Sequence, residues 1–181
     1  REGDVQQGAT YDARVERPGW DTAAFNDSTW QPVTASVVTN LVLGVSPCAP
    51  VRKQQELKPV KLTEPRPGVY VFDLGQNIAG WVRLKAKGVR GTRIVLRISG
   101  WLNPDGAIYT DYLREARAVD TYYLKGGGEE VWEPSTTYHG FQYVEVTGYP
   151  GAPSLNDLTG IECNSTLPTT GTFECSDARV N

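Results

Sequence analysis

The residues able to do chemistry are few. One histidine is present, His139 in Thr137-Tyr138-His139-Gly140-Phe141. No serine or cysteine near it sits in a nucleophile-elbow context, so a nucleophile-histidine-acid triad has little support. Lying between aromatics just ahead of an apolar run, His139 reads as a packed or hydrogen-bonded structural histidine rather than a base or ligand. Zinc takes roughly three or four protein ligands, and one histidine with scattered cysteines does not supply them. Carboxylates number 21, so chance pairs abound and counting cannot pick out the two that glycoside hydrolysis requires. Asp73, in Phe72-Asp73-Leu74-Gly75-Gln76-Asn77, reads as the Asx-type partner of a tight loop after a strand rather than a catalytic group. Asn103-Pro104-Asp105-Gly106 is a turn by the same chemistry. Its carboxylate and carbonyls are calcium-type donors, yet one turn falls short of the roughly 6–8 oxygens that calcium takes. No residue is therefore assigned to catalysis or to a metal, and calcium stays open as a cofactor.

Binding chemistry has better candidates. Exposed indoles stack on the apolar faces of sugar rings, whereas buried ones fill cores. Trp20, Trp30 and Trp132 lie in turn-rich or proline-flanked contexts and read as packing anchors. Trp81 falls on the polar face of a strand with Arg83. If Arg97 and Tyr143 share that face, the result is an aromatic and guanidinium patch suited to a neighbouring domain or to a saccharide. Trp101 precedes the Asn103 turn and can line its rim, with Asp105 available to hydrogen-bond hydroxyls. The candidate ligand-binding set is Trp81, Arg83, Arg97, Trp101, Asp105 and Tyr143.

These residues must be carried by strands. Over 181 residues with net charge -3, the chain can build one well-cored domain, or one with part of a neighbour attached. Lys and Arg are scattered and outnumbered by acids, which argues against a nucleic-acid partner. No apolar run approaches the roughly 20 residues of a membrane span, and the polar start Arg1-Glu2-Gly3-Asp4 is not a signal peptide. With no methionine, the chain reads as a processed or excised piece. Its three cysteines, Cys48, Cys163 and Cys175, allow one bridge, Cys163 to Cys175, or free thiols, and leave the compartment open between exported and cytoplasmic.

Helical patterning is nearly absent, and residues 111–118 read as a turn or loop. Short runs rich in Val, Ile, Tyr, Phe and Thr alternate with Gly and Pro from Val51 onward, the pattern of an antiparallel β-sandwich. In Trp81-Val82-Arg83-Leu84-Lys85-Ala86-Lys87, strand alternation turns Val82, Leu84 and Ala86 inward. Arg93 to Ser99 repeats this with Ile94, Leu96 and Ile98, and the two strands suggest one sheet. Further strands are expected over 68–72, 120–125, 130–133, 142–147, 158–163 and 171–175. Gly126-Gly127-Gly128 reads as a flexible hairpin loop rather than a phosphate cradle, since no helix comes after it. Residues 1–43 carry turn signals and bury little core alone, and the proline-flanked stretch from Val45 to Pro50 reads as a connector.

Several of these motifs, in order along the chain, resemble one family. Phe72-Asp73-Leu74-Gly75-Gln76-Asn77 with Gly80-Trp81-Val82-Arg83, Leu102-Asn103-Pro104-Asp105-Gly106, Asp120-Thr121-Tyr122 and Tyr138-His139-Gly140-Phe141-Gln142-Tyr143-Val144-Glu145-Val146 are similar to the concanavalin-like β-sandwich domain of bacterial α-L-rhamnosidases of glycoside hydrolase family 78. Tyr11-Asp12-Ala13-Arg14, Gly19-Trp20 and Phe25-Asn26-Asp27-Ser28-Thr29-Trp30 resemble the end of the preceding amino-terminal domain. Thr172-Phe173-Glu174-Cys175-Ser176-Asp177 resembles the lead-in to the catalytic domain. The resemblance implies residues 1–45 as the tail of an amino-terminal sandwich, 46–166 as the concanavalin-like sandwich and 167–181 as the lead-in to an (α/α)6 catalytic domain. It also implies that the inverting hydrolysis of terminal L-rhamnose belongs to carboxylates beyond Asn181, so no catalytic residue carries over. Ser99-Gly100-Trp101 departs from the family's Ala-Glu pair, losing a carboxylate and gaining an indole. The expected function is a non-catalytic accessory module of a bacterial rhamnosidase-like hydrolase, with a rhamnose-containing glycan and the catalytic domain as partners. The rival is a freestanding carbohydrate-binding module built on exposed tryptophans.

Overall fold

The computed structural model describes residues 2–36 and 40–181. Arg1 of the polar start lies outside them. The elements are strands β1 (Glu2–Asp4), β2 (Gly8–Asp12), β3 (Val51–Leu57), β4 (Lys61–Arg66), β5 (Val69–Lys87), β6 (Arg93–Ser99), β7 (Trp101–Leu102), β8 (Ile108–Tyr109), β9 (Val119–Tyr123), β10 (Glu129–Trp132), β11 (His139–Thr147) and β12 (Leu158–Ser165). Single 3-10 turns at Ala13–Val15, Asp111–Leu113 and Leu155–Asp157 are the helical content of the described residues. The chain is all-β, a curled sandwich antiparallel except where β2 runs parallel to β9, and among the described residues no helix is long and apolar enough to cross a membrane.

The curl is made by β5. Its first part pairs with β4 and β11, Asp73 facing both Lys61 and Tyr143. Its last part pairs with β12 and β10, Leu84 facing both Leu158 and Trp132. One strand thus changes neighbours on both edges, and that lets a single hydrogen-bonded network fold over its own core. Between its two sets of partners β5 carries a bulge, where residues 74–77 stand opposite the single Gln142, and β11 stays paired past it as far as Gly80, where β12 joins. Gly75 takes φ +78 there, and its N–H donates to Asp73 Oδ1 at 2.7 Å. The Asx chemistry expected of Asp73 is present, but it shapes a bulge within a continuous strand rather than a loop after one.

Period-two alternation holds as expected in β5 and β6. Val82, Leu84, Ala86, Ile94, Leu96 and Ile98 are all buried in one core with Phe141, Val144, Val146 and Leu158. Each such Val, Leu or Ile contributes about 1.5–3 kcal/mol by leaving water. The two strands are not neighbours, however: β11 separates β6 from β5. Nor does the triple glycine close a hairpin, since β9 pairs with β6 and β10 with β5. The loop's Lys125 and Gly126 N–H groups donate to the buried Glu130 carboxylate, at 3.0 and 2.8 Å.

Residues 171–175 form no strand, and Phe173 is 71% exposed. Strand propensity without a sheet edge to pair with does not make a strand. The reverse holds for β1 and β2, which carry little apolar periodicity yet extend the sheet along β9, Tyr11 facing Tyr122. Cys48, Cys163 and Cys175 are free thiols, Cys163 alone buried.

Candidate functional site

The six candidate residues fall into three groups, the second and third of which meet at Ser99, paired with Tyr143 and hydrogen-bonded to the Trp101 backbone. Trp81 and Arg83 meet at Glu133, just past β10. The Trp81 indole N–H donates to Glu133 Oε2 at 2.7 Å, Arg83 Nε donates to Oε1 at 2.7 Å, and Lys53 Nζ donates to Oε2 at 2.7 Å. Lys53 also lies 5.4 Å above the Trp81 ring, and Arg83 bridges onward to Glu56 at 2.8 Å. Alternation along β5 announced Trp81 and Arg83. Lys53, Glu56 and Glu133 were missed because they arrive from β3 and β10 through sheet topology, which leaves no mark in local sequence.

Burial alone would raise the Glu133 carboxyl, but hydrogen bonds from Lys53, Trp81 and Arg83 outweigh it and hold the pKa at about 2, below the ordinary 4.5. The unfolded chain therefore takes up this proton first as pH falls. The stabilisation is complete above about pH 4.5 and is lost as the pH drops toward 2. Solvent screening at this partly exposed hub limits its worth to about 1–2 kcal/mol. Glu133→Gln is expected to lose that amount at pH 7 and to flatten the acid limb of urea-denaturation stability between about pH 4.5 and 2. An unchanged acid limb would show that the hub does not couple to folding.

Arg97 and Tyr143 belong to the β6–β11 pair. Arg97 faces Glu145 across the strands and donates to its Oε1 at 3.2 Å, while Tyr143 faces Ser99. Gln142 Nε2 donates to Tyr143 Oη at 3.1 Å and to Asp73 Oδ1 at 2.9 Å, tying this pair to the β5 bulge. Trp101 and Asp105 sit on the β7–β8 hairpin. Trp101 is 66% exposed beside the exposed Leu102, and on the same hairpin Tyr109, which faces Trp101 across the strands, stacks its ring 6.0 Å from that of Tyr112. Tyr112 Oη accepts the Gly100 N–H at 2.8 Å, so the stack is anchored to the residue that links β6 to β7. Asp105 Oδ1 accepts from Ala107 N–H at 3.1 Å, and Asn103 O accepts from Gly106 N–H at 2.9 Å. With one carboxylate, already engaged, the turn does not by itself present a calcium donor set.

The inward carboxylates are structural. Asp120 accepts from Ala9 N–H at 2.8 Å and lies 3.3 Å from His139 Nε2, both residues buried, which is the packed histidine the sequence indicates. Glu130 accepts from Tyr122 Oη at 3.0 Å and from the two loop amides. Trp20 and Trp30 differ from expectation. They are 53% and 42% exposed, and with Tyr11, Asp12, Arg17 and Asp21 they line a cleft of about 520 Å³. Trp132 is the packing anchor, buried against Tyr122 at 5.0 Å.

Residues 63–164 match the model of the bacterial alpha-L-rhamnosidase concanavalin-like domain. The chain belongs to that family. Residues 1–55 match the alpha-L-rhamnosidase N-terminal domain. Among curated relatives, an alpha-L-rhamnosidase of Streptomyces avermitilis is 49% identical over 98% of this chain and 17% of its own length. One from Formosa agariphila is 33% identical over 98% of this chain and 19% of its own. The solved structure of the Streptomyces avermitilis alpha-L-rhamnosidase complexed with L-rhamnose superposes with a TM-score of 0.90 at 48% identity, covering 98% of this chain and 17% of that one. That of the alpha-L-rhamnosidase from Dictyoglumus thermophilum gives 0.93 at 37%, covering 97% and 20%. The chain thus spans about a fifth or less of the rhamnosidases it matches. Within it, the concanavalin-like match runs from β4 to β12, and the N-terminal match takes in β1, β2 and most of β3.

Proposed function

We propose that this chain is the non-catalytic β-sandwich region of an α-L-rhamnosidase-like glycoside hydrolase, which removes terminal L-rhamnose from glycans through a catalytic domain in the same polypeptide outside these residues. The observation that carries this reading is the co-linear match to the N-terminal and concanavalin-like domains over a small share of each relative's length. The engagement of Asp120, Glu130 and Glu133 in structural hydrogen bonds agrees with it, because an inverting pair needs two carboxyls flanking a shared open space. The purified chain is expected to leave an aryl α-L-rhamnoside intact at the buffer rate. Turnover at enzyme-like rates would overturn the assignment.

A second reading, a carbohydrate-binding module, is supported by the indole of Trp101, which stands open on a hairpin whose turn carries the Asp105 carboxylate. A shallow platform of this kind binds weakly, because little surface is buried against the cost of association. In a titration with L-rhamnose and rhamnose-containing oligosaccharides, Trp101→Ala is expected to abolish the saccharide-dependent change in tryptophan fluorescence while leaving the melting temperature unmoved. A silent titration of the unsubstituted chain removes this reading.

A further inference from the structure

The boundary between the two family matches cuts through a sheet. β2 runs parallel to β9, Thr10 facing Thr121 and Asp12 facing Tyr123. Where β9 begins, Ala118 N–H donates to Gln6 O and Val119 N–H to Gln7 O, both at 3.1 Å. Asp120 is wholly buried, and its Oδ1 accepts the Ala9 N–H at 2.8 Å while His139 Nε2 lies against the same carboxylate. A buried carboxylate is costly unless it is hydrogen-bonded, and here one of its partners is the backbone of the amino-terminal segment. Thr137 Oγ1 donates to Asp4 O at 3.0 Å, and the Tyr11 ring stacks 5.9 Å from Tyr122. Gly8, at φ +97, lies so close to β9 that a Cβ there would overlap the carbonyl oxygen of Val119.

Beyond this segment the chain changes character. Residues 16–36 and 40–50 contain no strand and are almost entirely exposed. Extended, residues 16–50 reach on the order of 110 Å, so this connector restrains the segment ahead of it very little. The segment holds its place by recognition.

We propose that residues 2–15 act as a docking peptide, bound by a strand-acceptor site on β9 whose selective groups are Asp120, His139, Thr137, Tyr122 and Trp132. The ligand chemistry is that of an extended peptide of this same chain. It carries a Gly-Ala pair that lets backbones approach, an N–H at the second residue of that pair for the buried carboxylate, and an aromatic ring two residues on. Main-chain bonds along β9 supply affinity, and the carboxylate and aromatic stack supply selectivity. The site locks the stretch matched by the N-terminal domain onto the concanavalin-like sandwich, so the two behave as one unit.

The test uses the full chain with a protease-recognition sequence inserted after Gly44, which is exposed and open to solvent, cut once the protein has folded. The amino-terminal fragment is expected to co-elute with the rest on gel filtration and to separate only in denaturant. Thr137→Val, which removes a single hydrogen bond, is expected to speed its release about fivefold. Gly8→Val is expected to speed it by tenfold or more, on the order set by about 1.4 kcal/mol per decade. Separation of the fragment from the unsubstituted chain during the run would overturn the proposal. If Gly8→Val fails to fold, hydrogen exchange on the uncut, unsubstituted chain decides the matter. The amides of Ala9, Ala118 and Val119 are expected to be protected like those inside β6, and exchange as fast as in residues 40–50 would overturn it.

Discussion

Replacing Asp120 with alanine is expected to destabilise the folded chain by about 3–4 kcal/mol. The carboxylate is at 0% exposure and serves two groups that have left water, the Ala9 N–H and the His139 ring. Removing it strands a buried amide and leaves a buried imidazole without its acceptor, and a desolvated polar group without a partner is costly. Asp120→Asn keeps an oxygen for the Ala9 N–H and gives up the charge facing His139, so a smaller loss of about 1–2 kcal/mol is expected. At roughly 2–4 °C per kcal/mol for a chain of this size, the alanine variant should melt about 10 °C lower. Thermal and urea melts of the two variants beside the parent measure this directly. Equal melting of Asp120→Ala and the parent would mean that the buried pair contributes nothing to the fold.

Phe141→Ala is expected to cost about 3–5 kcal/mol. The ring is at 0% exposure on β11, with its residue paired to Ile78 where β5 leaves its bulge and turns toward its second set of neighbours. A cavity at this point opens the core in which Phe72 and Leu74 from one part of β5 lie with Val82 and Leu84 from the other, and close-packed interiors refill such space only in part. Phe141→Leu keeps most of the volume and should cost about 1 kcal/mol. Phe173→Ala is the control: the ring is 71% exposed, and its loss is expected to stay within about 0.5 kcal/mol. Urea midpoints at constant slope separate the three, and a Phe141→Ala midpoint close to that of Phe173→Ala would show that the core closes without the ring.

How far each feature is legible in the amino-acid order depends on how local its signal is. Val82, Leu84 and Ala86, and then Ile94, Leu96 and Ile98, declare strands because side chains alternate faces residue by residue, and that alternation is written in adjacent positions. His139 could be assigned to the interior from its apolar and aromatic neighbours. Its acceptor, Asp120, stands on a different strand and could not be named. Trp81 and Arg83 were legible as an outward pair, but the acid that binds both, Glu133, reaches them from the end of β10. Residues 72–77 misled because Gly75 at φ +78 has the same sequence signature in a bulge as in a loop.

The class of fold, the family and the period of the strands are all written in the amino-acid order. Each depends on short-range pattern or on motifs that recur in order along the chain. Three-dimensional packing was needed to settle which strands pair, that β5 serves two sets of neighbours, that residues 171–175 join no strand among the described residues, and that residues 2–15 belong to the sheet of β9. Pairing depends on which backbone edges and which buried polar groups meet across long separations. A stretch as weakly patterned as β2 becomes a strand because Asp120 and the open edge of β9 satisfy its backbone.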